Sequence, residues 1–274
     1  MDKIVLVGEI GINANGDVEI AKKLIDVAKI ADFDYVKFQK RSIDLVYTEE
    51  ELNAPRESKW GTTFREQKDG LEFDHGQYNE ISRHCMRNKM KWFASPWDVE
   101  SVRFLENFDP PYIKIPSPLI TKMELLEEIK NTGMSVIVST GMSTKNEVDK
   151  CVDYLGDQVE YILACTSTYP TPIQEMNMNF IKTLKEEYPE YKIGFSNHNP
   201  GLTFCIIAGA LGAEMIELHI TLDRAMYGSD QAASVEPEGV MKIAKYARSI
   251  QAGMGDGKWT IFPGEISIRK KLRR

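Results

Sequence analysis

Short runs of β-branched and aromatic residues alternate with segments of helical periodicity about eight times along this chain. Apolar residues at helical spacing follow the first of these runs, and another such stripe follows Pro237. Alternating strands and helices predict a parallel sheet, and eight units predict that the sheet closes. We therefore expect an α/β fold consisting of a single (β/α)8 TIM barrel. The predicted strands cover residues 4–9, 34–39, 91–95, 112–116, 135–140, 160–165, 192–196 and 214–219.

The chain has 274 residues, an ordinary length for one barrel, and we expect a single domain over residues 1–274. Hydrophobic residues make up 42% of the sequence and charged residues 27%, which suffices for a packed core. The connection over residues 40–75 is unusually long. We expect this long loop on the catalytic face, as either a lid or a structural cover.

Composition also excludes several classes of function. The formal net charge of −7 argues against a nucleic-acid partner, and no apolar run reaches the length of a membrane span. The basic tail over residues 269–274 is expected to be a solvated helix end. The four cysteines show no C-x-x-C spacing, and the start of the chain has no signal-peptide layout. These features predict a cytoplasmic protein whose thiols are reduced and mostly serve packing.

Two of the four histidines stand at the ends of the last two predicted strands, as His198 and His219. Adjacent strands lie about 4.8 Å apart, so two imidazoles that leave neighbouring strands at the same end can share one divalent metal. In a closed barrel the eighth strand also borders the first, which ends in Glu9. The sequence therefore predicts a His-His-acid cluster suited to metal-assisted chemistry.

Two lysines and several hydroxyls are predicted to face the same mouth of the barrel. Lys37 and Gln39 share one face of the second strand, and Lys114 lies on the fourth. A lysine inside an apolar strand needs an anionic partner. A single serine more often caps a helix, but a ring of them beside two lysines predicts a cradle for phosphate or carboxylate. The serines at these strand ends are Ser117, Ser139, Ser167 and Ser196.

Two alternatives remain open at this point. A desolvated lysine can form a Schiff base, as in barrel aldolases that carry it on the sixth strand, but residues 160–165 contain no lysine. Asp230, which follows Gly228 and Ser229 after the last strand, presents a carboxylate to a polyhydroxy substrate or belongs to an ordinary turn.

Together these segments resemble the sialic acid synthase (N-acetylneuraminate synthase) family, in order and in spacing, over essentially the whole chain. The matching segments are GEIGINANGD at 8–17, VKFQ at 36–39, KIPS at 114–117, STGM at 139–142, CTSTYP at 165–170, SNH at 196–198, HITLDR at 219–224 and GSD at 228–230.

The resemblance implies that phosphoenolpyruvate condenses with an open-chain N-acyl amino sugar, such as N-acetylmannosamine, to give a nonulosonic 2-keto acid and phosphate. It implies a divalent metal, Mn²⁺ or Mg²⁺, held by His198 and His219. It places phosphoenolpyruvate near the two lysines and the serines. It also implies that Glu9 acts on either the aldehyde oxygen or the proton of the attacking water. The residues implied to contact the sugar are Gln39, Tyr169 and Asp230.

The chain departs from the family pattern at four positions where the family usually or often has a histidine or an aspartate. After its Arg-rich end the family usually continues into a small antifreeze-like domain that is swapped within a homodimer, and this sequence stops there. We therefore expect relaxed or shifted acceptor specificity, and a homodimer or a separate cap-domain protein as partner. A non-catalytic scaffold barrel is the alternative. The departing positions are Ala14, Ala164, Asn197 and Gln231.

Overall fold

Eight parallel strands close into a barrel in the computed structural model, which describes residues 3–273. Met1, Asp2 and Arg274, the ends of the expected domain and of the basic tail, lie outside the described residues. The strands are β1 (Val5–Glu9), β2 (Tyr35–Lys40), β3 (Pro55–Ser58), β4 (Gly61–Thr63), β5 (Lys91–Pro96), β6 (Ile113–Ile115), β7 (Val136–Ser139), β8 (Val159–Cys165), β9 (Lys192–Asn197) and β10 (Met215–His219).

Helices follow the barrel strands and cover the outside of the sheet. They are α1 (Val18–Ile30), α2 (Ile43–Val46), α3 (Glu49–Leu52), α4 (Phe64–Leu71), α5 (His75–Arg87), α6 (Val99–Glu106), α7 (Met123–Thr132), α8 (Lys145–Leu155), α9 (Phe180–Glu187), α10 (Thr203–Ala210), α11 (Pro237–Gly253) and α12 (Pro263–Leu272).

The order of strands around the barrel is β1, β2, β5, β6, β7, β8, β9 and β10, with β10 paired to β1. Glu9 is in register with Lys37 on one side and with His219 on the other. The predicted closed barrel is confirmed, and each predicted strand end agrees with the observed one to within one residue. The carboxyl ends of all eight strands therefore open on one face, where active sites of such barrels lie.

Side-chain alternation along the strands separates the site from the core. A cluster of apolar side chains, distinct from the main core, comes from residues that lie two positions before site residues on the same strands. Val7 precedes Glu9 in this way, and Met215 precedes Glu217. Because side chains repeat with a period of two, both members of each pair face the same side of the sheet. The polar residues thus stand on a layer of packed apolar side chains.

The long connection between β2 and α5 contains more structure than the loop that we expected. Residues 41–74 form α2, α3, the β3–β4 hairpin and α4, and we call them the connecting segment. The Trp60 ring packs edge-on against Tyr227 with centroids 5.7 Å apart, and Gln67 donates a hydrogen bond to the Tyr227 hydroxyl. Lys59 donates to the backbone carbonyl of Asn15. These contacts hold the segment against the loops that follow β1 and β10.

The last helix, α12, is exposed along its described length and carries the basic tail, which agrees with a solvated helix end for residues 269–272. None of the helices within residues 3–273 combines the length and the apolar character needed to cross a bilayer.

Candidate active site

A cavity of about 250 Å³ opens at the carboxyl ends of the barrel strands. Every predicted site residue except Asp230 lines it, so side chains that are distant in sequence converge as expected. Its lining consists of Glu9, Lys37, Gln39, Ser95, Trp97, Lys114, Pro116, Ser117, Pro118, Ser139, Met142, Cys165, Ser167, Tyr169, Ser196, His198, Glu217 and His219.

Four buried charged side chains form an alternating cluster at the floor of this cavity. Lys37 Nζ lies 2.8 Å from Glu9 Oε2 and 3.6 Å from Glu217 Oε1. Lys114 Nζ lies 3.1 Å from both carboxylate oxygens of Glu217. The anionic partners that buried lysines need are therefore supplied by the protein itself. The cluster has two charges of each sign and no net charge.

Burial and pairing oppose each other in this cluster. Burial alone raises the pKa of Glu217, but Lys114 and Lys37 outweigh it and lower that pKa to about 2. Burial also raises the pKa of Glu9, and the nearby Lys37 offsets this increase only in part. Glu217 is therefore firmly ionised at neutral pH. Glu9 is the carboxyl group whose proton affinity is higher than usual, as a general acid or base requires.

The hydroxyls complete a cradle beside the two ammonium groups. Ser196 donates to Glu217 Oε1 at 3.2 Å, while the buried Ser139 hydroxyl has no hydrogen-bond partner among residues 3–273. A Cβ on Gly141 would lie 2.1 Å from Ser167 Oγ and 2.7 Å from Ser117 Oγ. Only glycine at this position lets both hydroxyls lie so close to the backbone of residue 141. The unpartnered and converging hydroxyls fit a small anion with several acceptor oxygens.

The two predicted imidazoles lie side by side, with ring centroids 5.5 Å apart. His198 Nδ1 is 2.6 Å from the carbonyl oxygen of Thr166, and the Tyr169 hydroxyl is 2.8 Å from His198 Nε2. This network assigns the proton to Nδ1, and the Nε2 lone pair accepts the Tyr169 hydroxyl. A ring N–H that donates to a backbone carbonyl is the usual arrangement behind a metal-bound imidazole.

His219 carries a buried ring nitrogen without a hydrogen bond. Its Nδ1 has no partner within the described chain, and the nearest carboxylate oxygen, Asp230 Oδ2, is 3.7 Å away. Burial lowers the pKa of His219 to about 4, and the adjacent His198 acts in the same direction. A neutral imidazole with an unused nitrogen is a suitable metal ligand. The two histidines therefore fit a divalent cation.

The predicted His-His-acid cluster is wrong in its acidic member. Within residues 3–273, no three His, Cys, Asp or Glu side chains come close enough together to hold a metal ion. The carboxylate of Glu9 is instead engaged by Lys37 and by Gln39 Nε2, which is 2.8 Å from Glu9 Oε1. The attraction between the Lys37 ammonium and the buried Glu9 carboxylate turns that carboxylate toward Lys37. The protein thus offers two imidazoles and leaves further ligands to substrate or water.

The sequence analysis missed seven of the residues that line this cavity, among them Glu217, Cys165 and Trp97. Glu217 lies two positions before His219 and so faces the same side of β10, a signal that the sequence did contain. Cys165, expected to serve packing, lines the cavity with Sγ 3.8 Å from His198 Nδ1. Burial raises the pKa of this thiol, but His198 and Lys114 outweigh it and lower the pKa to about 7. Trp97 stacks on the Arg41 guanidinium at 4.2 Å.

The departures from the family pattern fall outside the main cavity. Gln231 is buried and braces the loops, since its amide group donates to the carbonyl of Asn13 and its oxygen accepts from Thr221. Ala164 lines a separate cavity of about 380 Å³. Asn197 bonds within its own turn, to the carbonyl of Asn199. The changes at Gln231, Ala164 and Asn197 therefore leave the charged cluster intact.

Comparison with known proteins gives the class to which this site belongs. The NeuB family model matches residues 24–259. The human N-acetylneuraminate-9-phosphate synthase is 33% identical over 97% of this chain and 76% of its own length. The N,N'-diacetyllegionaminic acid synthase of Campylobacter jejuni is 34% identical over 94% of this chain and 79% of its own.

The solved structures agree. The N-acetylneuraminic acid synthetase of Leptospira borgpetersenii, crystallised with citrate, superposes with a TM-score of 0.83 at 30% identity, over all of this chain and 93% of that one. Fold and site thus define a barrel enzyme with a buried anion cradle. The chain belongs to the NeuB family.

Proposed function

We propose that this enzyme condenses phosphoenolpyruvate with an open-chain N-acyl amino sugar, in a metal-dependent reaction, to give a nonulosonic 2-keto acid and phosphate. The observation that carries the proposal is the convergence of two buried lysines, an open hydroxyl cradle and two imidazoles in one cavity. Curated relatives that synthesise acids of this kind support the choice of reaction.

The cradle is suited to phosphoenolpyruvate. Lys37 and Lys114 supply positive charge to its phosphate and carboxylate, and the serine hydroxyls donate to the remaining oxygens. A phosphate ester carries about −1.5 to −2 charge near neutral pH, and phosphoenolpyruvate adds a carboxylate. The four-residue cluster has no net charge to offset this. The charge deficit supports a divalent cation at His198 and His219.

The other groups orient the acceptor and move protons. Gln39, Tyr169 and Asp230 surround the position of the sugar beyond the imidazoles. When bound, a divalent cation supplies Lewis-acid polarisation of the aldehyde oxygen. C3 of phosphoenolpyruvate then forms a bond to the aldehyde carbon, water adds at C2, and the C2–O bond to phosphate breaks. Glu9 takes the proton of the water or delivers one to the aldehyde oxygen.

A Schiff-base mechanism is disfavoured by the charges of the lysines. Burial lowers the pKa of Lys37, but Glu217 and Glu9 outweigh it and raise that pKa, so the amine is held as ammonium. Burial lowers the pKa of Lys114, and Glu217 offsets this only in part, so the charge of Lys114 depends on its pairing with the ionised Glu217 carboxylate at 3.1 Å. An ammonium group is no nucleophile. Borohydride trapping of a substrate on either lysine would reverse this conclusion.

The test is phosphate release from phosphoenolpyruvate in the presence of Mn²⁺, over a panel of N-acetylhexosamines, their phosphates and 2,4-diamino sugars. We expect phosphate in equal amount to a product with the mass of acceptor plus pyruvate. Lys37→Met should abolish release, whereas the matched surface change Lys91→Met should not. A protein that binds phosphoenolpyruvate but turns over no acceptor would be a scaffold and would disprove the proposal.

A further inference from the structure

Arg41, the buried first residue of the connecting segment, does not line the main cavity, but its guanidinium contacts two residues that do. Nη2 donates a hydrogen bond to Gln39 Oε1, and the guanidinium carbon lies 4.2 Å from the centre of the Trp97 ring. Nη1 lies 3.3 Å from Glu72 Oε1. The Glu72 carboxylate also accepts the backbone N–H of Arg41 at 3.1 Å, so the two ends of the connecting segment are joined at this point.

The neighbours of Gln39 determine which way its side-chain amide points. Arginine stays protonated in proteins and can only donate hydrogen bonds, so the amide oxygen must face Arg41. The amide nitrogen then faces Glu9, whose Oε1 accepts a hydrogen bond from Nε2 at 2.8 Å. The reversed amide would set its oxygen against the Glu9 carboxylate and its N–H groups against the guanidinium. Both neighbours therefore oppose the flip.

The contact between Glu9 and Gln39 is also confined by the backbone. A Cβ on Gly11 would lie 2.8 Å from Glu9 Oε1 and 3.0 Å from Gln39 Nε2, and the φ of Gly11 is +49°, a value that favours glycine. The backbone carbonyl of Gln39 accepts the Tyr78 hydroxyl at 3.0 Å. The main chain and the side-chain amide of Gln39 are therefore both held by the protein.

We propose that Arg41 is a positioning residue that makes Gln39 present an N–H group, rather than its carbonyl oxygen, to the acceptor. The inference rests on the proposed condensation, in which Gln39 contacts the sugar. Glu9 uses one of the two hydrogens on Nε2, and the other serves the ligand. The acceptor group that meets Gln39 is therefore one that accepts a hydrogen bond, either a hydroxyl or the carbonyl oxygen of an N-acyl group.

Steady-state kinetics with N-acetylmannosamine, phosphoenolpyruvate and Mn²⁺ tests this role. Arg41→Met removes the guanidinium and should raise KM for the sugar by about tenfold, with KM for phosphoenolpyruvate changed less than about twofold. Arg41→Lys retains a cationic donor and should recover most of the lost affinity for the sugar. The matched control is Arg65→Met, because Arg65 lies in the same segment and pairs with two carboxylates, those of Asp44 and Glu49, but is more exposed.

A double-mutant cycle separates positioning from a merely structural role. In a Gln39→Leu background, Arg41→Met should change KM for the sugar by less than about twofold, because the amide through which Arg41 acts is absent. An equal rise in KM in both backgrounds would overturn the proposal. Arg41 would then contact the sugar itself, or it would only stabilise the connecting segment.

Nuclear magnetic resonance separates this inference from the proposed function, because it needs no turnover. The two hydrogens on Gln39 Nε2 give two side-chain amide signals, which are identified by their loss in Gln39→Leu. In Arg41→Met the amide is free to rotate, so these signals should broaden and exchange faster with water. If no acceptor is condensed, the proposed function fails, yet these spectra still decide the role of Arg41. Unchanged line widths and exchange rates in Arg41→Met would overturn it.

Discussion

Two ammonium groups share one carboxylate at the floor of the main cavity, because Glu217 lies between Lys114 and Lys37. The carboxylate is buried, so water cannot replace it. A buried ion pair stabilises a fold little more than apolar residues of similar size would. The removal of one member, however, leaves the other charge buried without a counter-charge. At this site the loss would affect two lysines, of which Lys37 retains Glu9.

Glu217→Gln should lower the free energy of unfolding by about 3–5 kcal/mol, because Lys114 is left buried without a counter-charge. The matched control is Glu160→Gln, which removes one partner of the more exposed pair with Lys192 and should cost less than about 1 kcal/mol. Urea denaturation followed by circular dichroism gives both values. Equal midpoints for Glu217→Gln and wild type would contradict this account of the cluster.

His219→Ala should abolish stabilisation by Mn²⁺, because one of the two imidazole ligands is lost. A wild-type protein in Mn²⁺ at a hundred times Kd gains about 2.7 kcal/mol. The variant should gain no measurable stability and show no calorimetric binding at the same concentration. His84→Ala, on α5 beside Asp26, is the control. Undiminished Mn²⁺ affinity in His219→Ala would place the metal elsewhere.

At the level of single residues, the sequence analysis identified site residues by their position at strand ends. It missed Glu217, the carboxylate that pairs with both lysines. Lys37 and His219 stood out because a lysine or histidine is unusual in an apolar run. Glu217 sits in the same run, but strands of a parallel barrel are buried on both faces and show no polar alternation. The sequence could have placed Glu217 on the same face as His219, but its pairing with the two lysines and the turn of Glu9 toward Lys37 depend on the neighbouring strands.

Among the elements, the connecting segment differs most from the expectation. Its helices α2 and α3 have four residues each, and β4 has three. Elements so short show no periodicity, so the sequence indicated only a long polar loop. Tertiary contacts decide their conformation. Gly70 is central to these contacts, since a Cβ there would lie 2.2 Å from the Trp60 ring.

Gly70→Ala should loosen the connecting segment. Alanine improves helix propensity by about 1 kcal/mol, but overpacking against Trp60 costs about 1–3 kcal/mol, so we expect net local destabilisation. Trypsin should cleave at Arg56 or Lys59 several times faster than in wild type. Gly253→Ala in α11, where a Cβ meets nothing within 4 Å, is the control and should not change cleavage. Unchanged cleavage in Gly70→Ala would show that the Trp60 ring can move aside without destabilising the connecting segment.

The whole barrel depends on the closure between its first and last units, which the eightfold alternation predicted correctly. In addition to the strand pairing, the side chain of Arg248 on α11 binds the first strand-and-helix unit of the barrel. The Arg248 guanidinium donates to the carbonyl of Ile4 at 2.7 Å and to that of Asp32 at 3.0 Å, and it lies 3.4 Å from Asp34 Oδ2. Asp34 also accepts the backbone N–H of Leu6. No sequence pattern predicts this contact, because its partners are more than 200 residues apart.

Arg248→Met should destabilise the entire barrel, because it opens the junction where β1 meets α11. Hydrogen bonds that involve a charged group contribute about 1.5–3 kcal/mol, and the 26% exposure of the Arg248 side chain places the expected loss near the lower end. Methionine retains the apolar stem, so the loss reports the guanidinium. Lys242→Met, which breaks an exposed pair with Glu238 on the same helix, is the control and should cost at most about 0.5 kcal/mol. Thermal unfolding should shift as one cooperative transition. A separate early transition would mean that α11 detaches alone, and closure of the barrel would not depend on Arg248.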